Sequence, residues 1–161
     1  MGVGVHPSGI TNDLQIERLF VEDSARMWRA VLAYTGDPEI ASDSVAEAFT
    51  LALESQGRIA SVSGWVWRVA FRVATAELRR RRRTTGEPPD HGYVPDNPAA
   101  DMLSALRRLS PRQRGAIVLH YYADRPIEEV ARILGSTGAA VRVHLMRGRR
   151  KLKELLEESD D

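Results

Sequence analysis

Residues 84–97 read Thr-Thr-Gly-Glu-Pro-Pro-Asp-His-Gly-Tyr-Val-Pro-Asp-Asn, and three prolines with two glycines in fourteen positions cannot hold a helix. This run predicts a flexible linker and divides the 161-residue chain into units 1–83 and 98–161, each within the size range of a small helical domain. On both sides strand signals are nearly absent, while helical periodicity and caps are frequent. The expected fold class is therefore all-α, with two small helical domains and a helix-turn-helix in the second. Hydrophobic residues at 43% and charged residues at 28% suit folded helices rather than disorder. There is no cysteine, which excludes disulfides and thiolate metal sites. No apolar stretch of about 18 residues and no basic flank before an apolar run is present, so no membrane insertion and a cytoplasmic location are expected.

The helices can be placed from their stripes and caps. The first is expected from Asp13 to Tyr34, with Leu19, Phe20, Met27, Val31 and Leu32 inward and Gly36 as its stop. Asp37-Pro38 then restarts the chain as N-cap and first-turn proline. The second helix carries Val45, Ala48, Phe49, Ala52 and Leu53 at i, i+3, i+4, i+7 and i+8. After a loop around Arg58 to Ser63, a third places Val62, Val66, Val69, Ala70 and Val73 on one face. Four short helices fill the second half, where Asn97-Pro98 and Ser110-Pro111 are again cap-plus-proline pairs.

A net charge of +1 hides a concentrated pattern. Residues 65–83 hold seven arginines against the single acid Glu77, and residues 142–153 hold six basic residues and no acid. Two positive patches on a nearly neutral chain point to polyanion binding by defined surfaces.

The second patch lies in a helix-turn-helix pattern. Small Ala131 allows two helices to cross closely, Gly135 supplies the turn, and Ser136 or Thr137 caps a last helix with Val141, Leu145, Gly148, Leu152 and Leu155 inward. The opposite face then carries Arg142, Val143, Met146, Arg147 and Arg150. Such a face fits the major groove, where arginine pairs with guanine and an apolar side chain meets the thymine methyl. In the first patch Trp65, Trp67 and Phe71 interleave with Arg68, Arg72 and the run Arg79 to Arg83, a mixture suited to unstacked bases and phosphates. One of the two tryptophans belongs in the core and the other near the surface; the sequence does not say which. Asp43 and Glu47 give the second helix an acidic, apolar surface suited to a basic protein partner rather than to DNA.

Together these segments resemble the extracytoplasmic-function (ECF) class of sigma factors of the sigma-70 family. The resemblance rests on Thr35-Gly-Asp-Pro-Glu-Ile-Ala-Ser-Asp43-Ser-Val-Ala-Glu-Ala-Phe49, on Gly64-Trp-Val-Trp-Arg-Val-Ala70 with the arginine run, on Leu109-Ser-Pro-Arg-Gln-Arg114, on Tyr121-Tyr-Ala-Asp, and on the helix-turn-helix. It spans about residues 14–156. It implies that Asp43, Glu47 and Phe49 dock on the clamp helices of the largest subunit of core RNA polymerase, with the second unit toward the flap. It implies that Arg58, Ser61, Ser63, Trp67, Arg68, Arg72, Arg79 and Arg80 engage the melted −10 promoter element. Arg142, Val143, Met146, Arg147 and Arg150 would read the duplex −35 element, with Ser136, Thr137 and His144 near its backbone. An anti-sigma protein is a further implied partner. The chain departs from the family's common pattern at Ala46, where glutamine is usual, at Arg72 and Ala76, where asparagine and aspartate are, and at Val143, where a small polar residue is frequent.

Two other functions compete. A stand-alone helix-turn-helix regulator would bind paired half-sites without polymerase, but 1–83 carries no evident ligand-pocket or phospho-acceptor pattern. An enzyme is disfavoured because His6, His91, His120 and His144 form no i, i+4 pair, and neither a Gly-rich phosphate loop nor a nucleophile motif occurs. No catalytic residue, metal or cofactor is expected.

Overall fold

The computed structural model describes residues 7–55, 57–85 and 100–160, and helices are the only regular elements among them. Most of the expected linker, the Asn97-Pro98 pair, His6 and His91 lie outside the described residues.

The first unit is a three-helix bundle. Helix α1 runs Pro7–Thr35, beginning before the expected Asp13, and ends at Gly36, whose φ of 73° is the left-handed value that favours glycine. Asp37 caps α2 (Pro38–Glu54), its Oδ1 accepting from the backbone N–H of Glu39 at 2.9 Å and of Ile40 at 3.3 Å. Helix α3 spans Val62–Thr85, so Thr84 and Thr85 end a helix rather than begin the linker. Ile16, Met27, Val31, Ala41, Ala48, Val66, Trp67 and Phe71 are all buried between the three.

Two apolar residues face outward instead of inward. Phe20 sits at the margin of the α1–α2 contact, 52% exposed, with its edge against the Phe49 ring at 5.1 Å. Leu53 is also 52% exposed, because one residue advances a helix by about 100° and Ala52 already closes the buried arc of α2.

The second unit is α4 (Ala100–Arg107), α5 (Pro111–Ile117), α6 (Ile127–Leu134) and α7 (Gly138–Ser159). Ser110 and Gln113 form a reciprocal capping box at the start of α5. Beyond Ile117 the helix widens into a π-helical turn, Val118–Tyr122, which the periodicity did not predict; it closes with Ala123 N–H donating to the Val118 carbonyl at 3.0 Å. Gly135, φ 63°, ends α6, and Thr137 rather than Ser136 caps α7, accepting from Ala140 N–H at 3.1 Å. The inward stripe of α7 is as expected: Val141, Leu145, Gly148, Leu152 and Leu155 are buried.

The two units are packed together, and their buried side chains form one continuous hydrophobic cluster. The Gly115 backbone approaches α1 so closely that a β-carbon there would lie 3.3 Å from Tyr34 Cε2 and 3.0 Å from Leu134 Cδ2. Beside it Arg114 is 8% exposed, its guanidinium 5.7 Å from the Tyr34 ring centroid and donating to the Arg107 carbonyl at 3.3 Å.

Polar contacts fasten the other end of the same interface. Arg125, between the π turn and α6, reaches back into the first unit. Its guanidinium stacks 4.7 Å from the Trp67 ring, donates to Ser63 Oγ at 3.1 Å and lies 3.6 Å from Asp23 Oδ2. On its own side it pairs with Glu129 at 3.0 Å. Arg26 bonds the Tyr122 carbonyl at 2.8 Å and Asp124 at 2.6 Å, while Arg29 Nε donates to Tyr122 Oη at 2.9 Å. Asp124 adopts φ 53°, a left-handed conformation that aspartate tolerates better than most residues.

Candidate nucleic-acid interface

The helix-turn-helix places its basic face outward. Arg142, Val143, Met146, Arg147 and Arg150 are exposed along α7, opposite the buried stripe. Val143 (39%) and Met146 (47%) are apolar side chains held in solvent between arginines, an arrangement that suits thymine methyls flanked by guanines and phosphates. His144 is partly buried on the same helix. Burial first, then the charges of Arg112 and Arg147, hold its imidazole below the ordinary histidine range, so near neutral pH it is an uncharged hydrogen-bonding group. Arg149 turns to Tyr121, hydrogen-bonding its hydroxyl with the guanidinium 6.0 Å from the ring, and is less available than its neighbours. Ser136 and Thr137 lie at the N-terminal end of α7, where Thr137 Oγ1 is engaged as the cap.

On α3 and in the loop before it, the expected residues separate. Arg58, Ser61, Arg72 and Arg79 are exposed, and Arg68 is half-buried. Trp67 is 0% exposed: its indole N–H donates to Asp23 at 2.8 Å and Arg125 covers its face, so in this arrangement it offers no surface to a base. Ser63 Oγ is likewise occupied by Arg125. The half-exposed tryptophan is Trp65, which with Arg58, Ser61, Gly64 and Arg68 lines a cleft of about 290 Å³. Glu129, Arg132 and Ile133 of α6 form the remaining wall of that cleft. Two periodic neighbours could not be ranked from sequence because the residues that bury Trp67 come from α1 and from beyond the linker.

The arginine run is not uniformly available. Arg80 makes two hydrogen bonds to Glu77, at 3.0 and 2.6 Å, and Arg81 pairs with Asp37 and with Glu77 at 3.2 Å. These guanidiniums, Arg80 foremost, lower the Glu77 carboxyl from 4.5 to about 2. Arg79 and Arg82 instead face a cleft of about 660 Å³ between α3 and the second unit, joined there by Arg72, Arg112, His144 and Arg147. The two patches that the linker separates in sequence thus face one space.

A third surface lies on α1 and α2. Asp43 and Glu47 are exposed, while Phe49 is buried behind them against Phe20. Leu14 (61%), Val21 (83%) and the outward Phe20 and Leu53 add exposed apolar area on the same two helices, which the inward assignment of Phe20 and Leu53 concealed. Among the described residues no group of three or more His, Asp or Glu could hold a metal, and no helix is long and apolar enough to cross a membrane.

Comparison with known proteins adds to this geometry. Residues 99–152 match the family model described as sigma-70, region 4. The probable ECF RNA polymerase sigma factor SigI of Mycobacterium tuberculosis is 30% identical over 154 residues, covering 79% of this chain and 53% of its own. SigL, an ECF RNA polymerase sigma factor of the same species, is 30% identical over 155 residues, covering 87% of this chain and 88% of its own. The chain therefore spans about half the length of SigI and most of SigL. Among solved structures, the sigma factor RpoE of Bartonella quintana, in complex with the anti-sigma factor NepR, superimposes with a TM-score of 0.76 at 20% identity, over 89% of this chain and 97% of that one. At that identity the likeness establishes the fold, two helical units included.

Proposed function

This chain belongs to the ECF RNA polymerase sigma factors, and from that membership we propose that it binds core RNA polymerase and directs sequence-specific promoter recognition, melting and initiation. It has no catalytic role of its own in this reading, and it works in the cytoplasm, where polymerase and DNA are. The observation that carries the proposal is the pairing of two acid-poor arginine surfaces on separate helical units with an acidic and apolar surface on α1 and α2.

Arg142, Val143, Met146, Arg147 and Arg150 read the −35 element in the major groove, with Ser136 and His144 toward the backbone. Arg58, Ser61, Arg68, Arg72 and Arg79 hold the melted −10 strand, and Trp65 supplies the stacking surface in the role first given to Trp67. Arg80 contributes charge while bound to Glu77. Asp43 and Glu47 meet basic residues of the polymerase clamp helices, and buried Phe49 sets their helix in place.

The packed arrangement has to open for this work. Elements some 25 base pairs apart lie roughly 85 Å apart along B-DNA at about 3.4 Å per base pair. One interdomain cleft cannot meet both ends of such a span. An anti-sigma partner that covers α2 or wedges between the units would act on the same transition.

Mixing the purified protein with sigma-free core polymerase should yield a stoichiometric complex by size exclusion, and that complex should initiate specific transcripts. DNA binding without a polymerase complex would refute the proposal and favour a stand-alone regulator.

A further inference from the structure

We infer that the cleft between α3 and the α5–α7 wall is a binding site for a short oligophosphate, complete only while the two units are packed together. Five arginines line it: Arg72, Arg79 and Arg82 from α3, Arg112 from α5 and Arg147 from α7. No lining residue is acidic. None of the five has a hydrogen bond or ion pair among the described residues, in contrast with Arg80 and Arg81 on the same helix. Like charges gathered in one concave space repel one another, and a multivalent anion removes that cost.

The ligand class follows from charge and size. At about 660 Å³ the cleft has the dimensions of a small-molecule site and is too small for a duplex. Guanidinium groups stay charged and grip phosphate oxygens bidentately, so a chain of phosphates can engage several at once where a single phosphate engages one or two. At the edge His144 is held below the ordinary histidine range first by burial and then by the charges of Arg112 and Arg147, two of the same five arginines. Because three of the five arginines come from the first unit and two from the second, the bound anion bridges them. It holds the packed arrangement and occupies Arg72, Arg79 and Arg147, so that it competes with promoter DNA; this last consequence alone rests on the function proposed above.

The test uses the whole chain without DNA or polymerase. Inorganic tripolyphosphate and a nucleoside triphosphate, both magnesium-free, are titrated calorimetrically at fixed ionic strength, with inorganic phosphate for comparison. Saturable binding of one molecule per chain is expected, at least tenfold tighter for either triphosphate than for phosphate. Equal affinity for the two would assign the site to the phosphate chain alone, and tighter nucleotide binding to a nucleotide. Arg82→Ala and Arg112→Ala, both at exposed positions, should each weaken binding about tenfold. Arg112→Lys should recover only part of the loss, and Arg108→Ala, outside the cleft, should change nothing. Non-saturating uptake, or equal losses in the Arg82, Arg112 and Arg108 variants, would reduce the effect to diffuse attraction and overturn the site. Circular dichroism of each variant separates lost binding from lost fold.

Discussion

Replacing Arg125 with alanine removes a side chain that touches both units at once. The arginine is 15% exposed, between the Trp67 face at 4.7 Å, Ser63 Oγ at 3.1 Å, Asp23 at 3.6 Å and Glu129 at 3.0 Å. A partly desolvated cation–π contact contributes about 1–2 kcal/mol, and a hydrogen bond from a charged donor about 1.5–3 kcal/mol. Against these stands the cost of desolvating and immobilising the guanidinium, and the Glu129 pair survives opening because both partners belong to the second unit. A net loss of about 2 kcal/mol across the interface is expected, which shifts the packed-to-open ratio roughly 30-fold. Labels on α2 and near the C-terminal end of α7, read by distance-resolved fluorescence transfer, should show the ratio of long-distance to short-distance populations rising by that factor. Arg125→Lys, which keeps the charge without the planar stack, should fall between. Arg26→Ala removes a more exposed pair, 38% and 76% for its two side chains, and should cost under about 1 kcal/mol. An Arg125→Ala protein with an unchanged distance distribution would show that the apolar contact around Tyr34 and Gly115 suffices, and the reasoning would fail.

Other expectations follow from single contacts. Because Glu77 is lowered from 4.5 to about 2 in the folded chain, its stabilising effect is full above the unfolded value and fades as pH falls from 4.5 through 2; Glu77→Gln should melt lower than the parent near neutral pH, with the gap closing toward pH 2. Arg147→Ala should cost about 1–3 kcal/mol on the preferred −35 sequence and far less on unrelated duplexes, measured by competition binding; equal losses on all sequences would remove Arg147 from base readout. Gly115→Ala places a methyl 3.0 Å from Leu134 and 3.3 Å from Tyr34, and should destabilise the chain by about 1–3 kcal/mol in thermal melts.

What the sequence made legible was local. The buried and exposed faces of α7 follow from one helical period, and the caps at Asp37 and Ser110 from single dipeptides, so all of these could be placed before any coordinates. Helix ends set by nothing stronger than Thr84 and Thr85 could not. Choosing between Trp65 and Trp67 required Asp23 and Arg125, residues far away in sequence whose approach no periodicity encodes. The fold class and its two units were legible, but not the packing of those units. That packing depends on Tyr34 against Gly115 and on Arg125 over Trp67, and Tyr34, Gly115 and Arg125 are unremarkable in their own segments. The arginine patches were visible as charge, but the neutralisation of Arg80 and Arg81 and the convergence of the others on one cleft were not.

The π turn at Val118–Tyr122 has a consequence for insertions and deletions. Such a turn amounts to one residue added to an α-helix, and each residue advances the helix by about 100°. Deleting one residue there would restore an ordinary ladder at little local cost while rotating everything downstream. Tyr122 and Asp124 would swing away from Arg29 and Arg26, and Arg125 from Trp67. The turn is thus a phase setting, and relatives one residue shorter at this point would present their helix-turn-helix to the first unit at a different azimuth even with every interface side chain retained.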